Sequence, residues 1–429
     1  MPAPADPRAG RAAFTHPAFV LFQVARFLIV VAVEMQAVAV GWQVYEITKR
    51  PLDLGYVGLA QFLPAILLFP VSGHASDRFQ RRHVLSTCYA GFAVCFVLLL
   101  VLAQRSAHSV TSIYLVLILL GIVRSFNGTA SRSILPQLVP EEHFPNAVAW
   151  NATTFQAATI LGPSFGGILY ALFGGPSVVY AAATLTAVGA LISTFRIKPE
   201  LTARRREPLG SRSMTFTTVF AGLRYIWREK LILGAISLDL FAVLLGGAVA
   251  LLPVYAREIL HTGPWGLGLL RTAPGVGAAV MAVALAHRPL RGRSGPTLLW
   301  SVAGFGVFTI IFGVSRSLAL SLVALFLLGA SDMISVIIRA TLVQLGTPDA
   351  MRGRVTAVDM IFIGASNEFG QFESGLTAQW FGTVPAVVLG GIGTLVVIAI
   401  WAWRFPELRN AGELLAAATS SDDRDLEVV

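Results

Sequence analysis

Seven charged side chains stand inside long apolar stretches of this chain: Arg26, Glu34, Arg124, Asp239, Asp332, Glu368 and Glu373. Lipid solvates such groups poorly, so an ionisable residue at that depth faces protein or a watery cavity. A carboxyl withdrawn from water resists ionisation, and a lone intramembrane acid can therefore take up and release a proton near neutral pH. Paired with an arginine, the same acid stays ionised and is structural. The sequence leaves open which of these acids are paired. Phe27, Trp42, Phe126, Phe155 and Phe241 are placed to give a shared cavity aromatic walls, although their helical spacing fits simple packing as well.

The elements that must position these residues are membrane helices. The chain is 55% hydrophobic and 13% charged, against about 25% charged in a soluble domain. Apolar runs recur at roughly the 20-residue length that crosses a hydrocarbon core. They read as 19–45, 55–75, 84–104, 111–131, 147–172 and 177–196, then 230–256, 266–286, 297–315, 318–342, 355–381 and 384–404. The expected fold is all-α and integral to the membrane, with about twelve spans in two six-helix bundles, 19–196 and 230–404. A tail (1–18), a linker (197–229) and a second tail (405–429) complete the chain, all three assigned to the cytoplasm. The run after residue 17 is longer than a signal-peptide core and reads as an uncleaved first helix.

Charge distribution sets the orientation. Of 32 Lys and Arg, six (Lys49, Arg50, Arg105, Arg257, Arg271, Arg316) fall on one side, Arg26 and Arg124 fall within spans, and the other 24 cluster in the alternate loops and tails. That asymmetry is the positive-inside bias rather than a nucleic-acid patch. In the linker, Phe216, Val219, Phe220, Leu223, Ile226 and Trp227 share helical spacing beside Arg224 and Arg228, which predicts an amphipathic helix along the membrane surface. The stretch 419–429 is polar and acidic and is expected to be disordered. Cys88 and Cys95 are seven apart in one span, roughly 10 Å along a helix, too far for a disulfide.

The two halves repeat one another. Glu34-x-x-Ala37-Val38-x-x-Gly41-x-x-Val44 matches Asp239-x-x-Ala242-Val243-x-x-Gly246-x-x-Val249. Adding 208 carries Gly121, Pro140, Ala149, Gly162, Gly167, Phe173 and Gly174 onto Gly329, Pro348, Ala357, Gly370, Gly375, Phe381 and Gly382, and Arg124 onto Asp332. A parallel duplication of six helices implies halves related by an axis along the membrane normal, with a substrate site at their interface.

Three motifs then carry a resemblance. Gly73, Asp77, Arg78, Arg81 and Arg82 match the loop signature G-x-x-x-D-R-x-G-R-R of the major facilitator superfamily, with Gln80 in place of a glycine. Arg124-Ser125-Phe126-Asn127-Gly128 is similar to that superfamily's R-x-x-Q-G. Gly162-Pro163-Ser164-Phe165-Gly166-Gly167 resembles the G-P-x-x-G-G of its exporters and antiporters. Leu59-Ala60-Gln61-Phe62-Leu63-Pro64 and Arg132-Ser133-Ile134-Leu135-Pro136 look like the siderophore and drug efflux group containing the enterobactin exporter. The resemblance implies alternating access, loop arginines that latch neighbouring helix ends, and proton-driven export of a small amphipathic molecule. It implies a cell-membrane (bacterial inner membrane) protein without a bound cofactor, acting as a monomer on a small-molecule substrate in the bilayer and binding no nucleic acid. Import coupled to protons or another ion is the alternative.

A membrane enzyme is the rival from another class. Gly162 to Gly166 also spell the hydrolase pattern G-x-S-x-G, yet no strand precedes it and no His or acid stands by to activate Ser164. The seven histidines are dispersed along the chain, none at metal-ligand spacing, and no phosphate-binding G-x-x-x-x-G-K-[ST] occurs. The expectation is therefore no catalytic residue, no metal and no ATP.

Overall fold

A computed structural model describes residues 9–105, 109–197, 216–288 and 293–412. Every regular element among them is helical. In chain order the helices are α1 (Pro17–Thr48), α2 (Pro51–Leu67), α3 (Phe69–Arg78), α4 (Arg81–Gln104), α5 (Val110–Ile134), α6 (Phe144–Phe173), α7 (Pro176–Phe195) and α8 (Phe216–Arg228). There follow α9 (Lys230–Leu245), the one-turn α10 (Leu252–Val254), α11 (Gly263–His287), α12 (Ser294–Val314), α13 (Leu318–Gly346), α14 (Asp349–Phe381), α15 (Thr383–Arg404) and α16 (Pro406–Arg409).

Ten segments among the described residues are long and apolar enough to cross a membrane. The other two expected spans are α2 with α3, and α14. Alpha-2 is short because Leu68 interrupts the run between Pro64 and Pro70, where a proline ring removes a backbone donor. The 33-residue α14 has the length but carries Asp359, Asn367, Glu368, Gln371 and Glu373, so its composition is too polar for a lipid-facing helix.

The seventh expected span also departs from a continuous helix. Alpha-9 stops at Leu245, and after Gly246-Gly247 the chain proceeds through a 3-10 turn (Ala248–Leu251), α10 and a π-helical turn (Tyr255–Ile259). Two glycines followed by Pro253 remove both the helix propensity and a backbone donor. Close neighbours explain the glycines: a Cβ on Gly246 would meet the Phe305 ring at 2.5 Å, and one on Gly247 the Gly370 carbonyl carbon at 3.0 Å.

Contacts divide the chain into two compact units, one of 1–49, 59–214 and 263–272, the other of 50–58, 215–262 and 273–429. In the first, α1 packs along α6 and α7, α4 along α5 and α7, and α3 against α5. Two of its buried tyrosines find side-chain acceptors, Tyr180 at Gln43 Oε1 (2.7 Å) and Tyr170 at Glu46 Oε2 (3.2 Å). In the second, α12 packs against α13 and α15, α9 against α14 and α15, and α8 against α14.

The repeat seen in the sequence is a repeat of helix crossings. A Cβ on Gly121 would strike the Gln61 carbonyl of α2, and one on its counterpart Gly329 the Pro274 carbonyl of α11. Gly162 abuts Val31 and Glu34 of α1, while Gly370 abuts Val243 and Leu244 of α9. Gly167 abuts Pro264 and Gly268, and Gly375 abuts Pro51 and Gly55. Gly174 and Gly382 both end their helices at positive φ (68° and 90°), the region only glycine enters freely.

Residues 9–15 form a 3-10 helix whose Phe14 packs edge-on against Phe19 and Trp150. At the other end α16 buries Leu408 completely in the core of the second unit. The expected amphipathic helix is α8: Ile226 is fully buried and Tyr225 Oη donates to Gly346 O, while Phe220 and Trp227 lie exposed beside Arg224 and Arg228. The arginine run 204–206 and the acidic stretch 419–429 lie outside the described residues.

Candidate functional site: a buried carboxylate–arginine cluster

The strongest polar constellation lies in the second unit and centres on a residue the sequence reading missed. Arg339, two turns after Asp332 on α13, is 4% exposed. Its Nη1 donates to Asp359 Oδ1 of α14 at 2.7 Å, and its Nη2 lies 3.3 Å from Asp239 Oδ2 of α9. One guanidinium thus ties three helices together. Arg339 is not a loop cation as the charge count has it: it lies inside the expected span 318–342, and α13 buries it in the bundle. Asp359 was overlooked for a related reason: it falls near the polar start of α14, where a charge reads as surface.

Asp332 makes no ion pair or hydrogen bond among the described residues, and it lines a cavity of about 340 Å³. The walls include Asp239, Arg339, Phe305, Asn367 and Gln371, with the Gly246–Gly247 break. Small residues at that break open the space a continuous helix would fill. Between Asp332 and Arg339 on the same face of α13 is Ser335, whose buried Oγ has no partner among the described residues. A smaller pocket of about 10 Å³ touches Asp239, Asp332, Ser335 and Phe305, room for about one water molecule. Three carboxylates therefore converge near one guanidinium.

The remaining expected residues are distributed as follows. Glu34 packs its Cβ against Gly162 and makes no ion pair among the described residues. Arg26 Nη1 donates to Ser131 Oγ at 2.6 Å, with its guanidinium 5.4 Å from the Phe155 ring centre. Arg124 is exposed and donates to Gln61 Oε1 at 3.1 Å. Glu368 accepts from Gln371 (3.2 Å) and Glu373 from Thr377 (2.7 Å), bonds along α14 itself. Of the expected aromatics, Trp42 is buried edge-on to Tyr170, and Phe241 packs against Trp401.

The loop motif behaves as helix-end chemistry. Arg81 Nη1 donates to Ser133 O at 2.7 Å and Arg82 to Phe195 O, the last carbonyls of α5 and α7, where a cation also complements the helix dipole. Gln80 sits at φ −60°, ψ 120°, ordinary extended backbone, so nothing there demands glycine. Gly73 has open space around it, Arg78 is exposed, and the Asp77 side chain lies outside the described set. In the G-P-x-x-G-G stretch, Gly162 and Gly166 seat α1 and Gly167 seats α11, with Pro163 buried in α6 between them. Ser164 lies within the helix and shares a 2.8 Å hydrogen bond with Thr272. His16 and His143 meet at 3.0 Å despite their separation in sequence; among the described residues no three His, Cys, Asp or Glu gather as a metal site.

The family profile described as "Transmembrane secretion effector" matches residues 9–424. The "Enterobactin exporter EntS" of Escherichia coli (strain K12) is 26% identical over 95% of this chain and 96% of its own. That of Citrobacter koseri is 28% identical over 89% and 86%. Among solved structures, the D-xylose-proton symporter has a TM-score of 0.69 at 13% identity, covering 90% of this chain and 97% of its own. A bacterial homologue of the human lysosomal transporter Spinster has 0.69 at 15%, covering 95% and 98%. The chain belongs to the transmembrane secretion effector family of the major facilitator superfamily, and is a multi-pass membrane transporter.

Proposed function

We propose that the protein exports a small amphipathic molecule from the cytoplasm across a bacterial inner membrane by proton antiport and alternating access. The supporting observation is Asp332, which lines the cavity beside an arginine already engaged by Asp239 and Asp359. With all three acids ionised, such a cluster holds an excess of buried negative charge, which a proton on Asp332 relieves. Asp239 and Asp359 keep Arg339 in place, Ser335 lies between the two ends of the cluster, and Asp332 exchanges the proton with the cavity. Glu34 is the second candidate carrier in the first unit. The proton gradient supplies the energy, and no bound cofactor enters the scheme. The relatives named for enterobactin suggest the substrate class, a siderophore or a drug of similar amphipathic character. The G-P-x-x-G-G stretch favours export over uptake.

Inverted vesicles under an imposed pH gradient, screened with siderophores and amphipathic drugs, test this. Gradient-driven accumulation is expected in the wild type. In Asp332→Asn it should vanish while substrate exchange without a gradient persists. An Asp332→Asn protein that still responds fully to the gradient removes Asp332 from the mechanism.

A further inference from the structure

Among the described residues, the first unit holds an arginine without the acid that its duplicate supplies. Arg26 makes no ion pair among the described residues, although it stands in a membrane-spanning helix roughly 14 Å from the start of α1. Its surroundings are Ser131 Oγ at 2.6 Å and the Phe155 ring at 5.4 Å, with Tyr89 and the further cation Arg132 near enough to interact electrostatically. Its Nε is buried with no hydrogen-bond partner among the described residues.

The internal repeat makes the omission specific. A shift of 208 carries Ser131 onto Arg339 and Asn151 onto Asp359, the two residues joined at 2.7 Å in the second unit. In the first unit those positions are a hydroxyl and an amide, and the cation arrives from α1 instead. Asn127 lies one turn from Ser131 on α5, and Asn151 one turn from Phe155 on α6. A guanidinium with no carboxylate among the described residues is completed by an anion, because an isolated charge in low dielectric is costly. Phe155 is 44% exposed, so its ring can stack with another aromatic plane.

We propose that Arg26, Ser131 and Phe155, flanked by Asn127 and Asn151, form a binding site for an organic anion with its negative group carried on an aromatic ring. This rests on the exporter reading and narrows its substrate class. The anionic group pairs with Arg26 and accepts from Nε, and the ligand's ring lies against Phe155.

The test compares 2-naphthoate with its neutral isostere 2-naphthamide, titrated calorimetrically against the purified full chain in detergent. The wild type should bind naphthoate at least tenfold more tightly. Arg26→Gln should equalise the two, and Phe155→Leu should weaken both. Asn151→Asp places an internal carboxylate where the duplicate has one, and should abolish the preference for the anion with Arg26 still present; it keeps the test decisive should Arg26→Gln fail to fold. Equal binding of both probes by the wild type overturns the proposal, as does an undiminished preference in Asn151→Asp. Displacement of naphthoate by equimolar chloride or phosphate overturns the aromatic part. Should the preference be missing while wild-type vesicles still show gradient-driven export, the anion site fails and the exporter reading stands.

Discussion

Replacing Arg339 by Gln should cost more stability than any single acid removed from the same cluster. The guanidinium meets Asp359 at 2.7 Å and Asp239 at 3.3 Å. At an effective dielectric of about 20, unit charges at those separations attract by about 6 and about 5 kcal/mol. Desolvation of three ions cancels much of this, and breaking a buried pair by deleting one partner typically costs about 3–5 kcal/mol. Arg339→Gln belongs at the upper end, because it strands two buried carboxylates with Asp332 close by. Asp359→Asn leaves the arginine with Asp239 and an amide acceptor, and should cost about 1–3 kcal/mol, the scale of one hydrogen bond to a charged group. Combining Asp239→Asn, Arg339→Gln and Asp359→Asn removes every charge of the bridge and should recover most of the loss. The assay is unfolding of the purified protein in mixed micelles by titration with sodium dodecyl sulfate, followed by tryptophan fluorescence. An Arg339→Gln protein within about 1 kcal/mol of wild type would refute the reasoning, since it would mean that water or lipid headgroups already screen the cluster.

Two further outcomes follow from packing. Gly167→Ala puts a methyl 2.6 Å from Pro264 O and 2.9 Å from Gly268 Cα, so α6 and α11 must separate; a loss of about 1–3 kcal/mol is expected, measured by the same titration, with Gly128→Ala, which has open space, as the unaffected control. Ile226→Ala empties a fully buried site between α8, α9 and α14 and should cost about 2–5 kcal/mol, with α8 becoming the first point of cleavage in limited proteolysis.

The sequence carried the architecture through hydrophobic run length, which needs no tertiary information, and through small-residue spacing. The 208-residue shift found Gly121, Gly162 and Gly167 with their counterparts because a glycine at a helix crossing is required by the backbone opposite it, whatever the surroundings. The cluster around Arg339 was less legible. Asp239 and Asp332 stood out against apolar neighbours, whereas Arg339 and Asp359 lie where a helix passes from membrane to loop and a charge has two ordinary explanations. Their partnership is a fact of α13 meeting α14. The break at Gly246-Gly247 was similarly hidden, since hydropathy counts side chains and cannot see which carbonyls have lost their donors.

That break bears on how the protein is made. The Gly247 carbonyl receives its hydrogen bond from Ser374 Oγ of α14 (2.9 Å). That donor is synthesised more than a hundred residues later. Until it emerges, a nascent chain that has released the seventh span into lipid exposes a backbone carbonyl that hydrocarbon cannot satisfy. The segment is therefore expected to stay in the insertion machinery, or in a hydrated cleft beside it, until α14 arrives. A ribosome stalled between residues 260 and 370 should leave a product that crosslinks to the translocon.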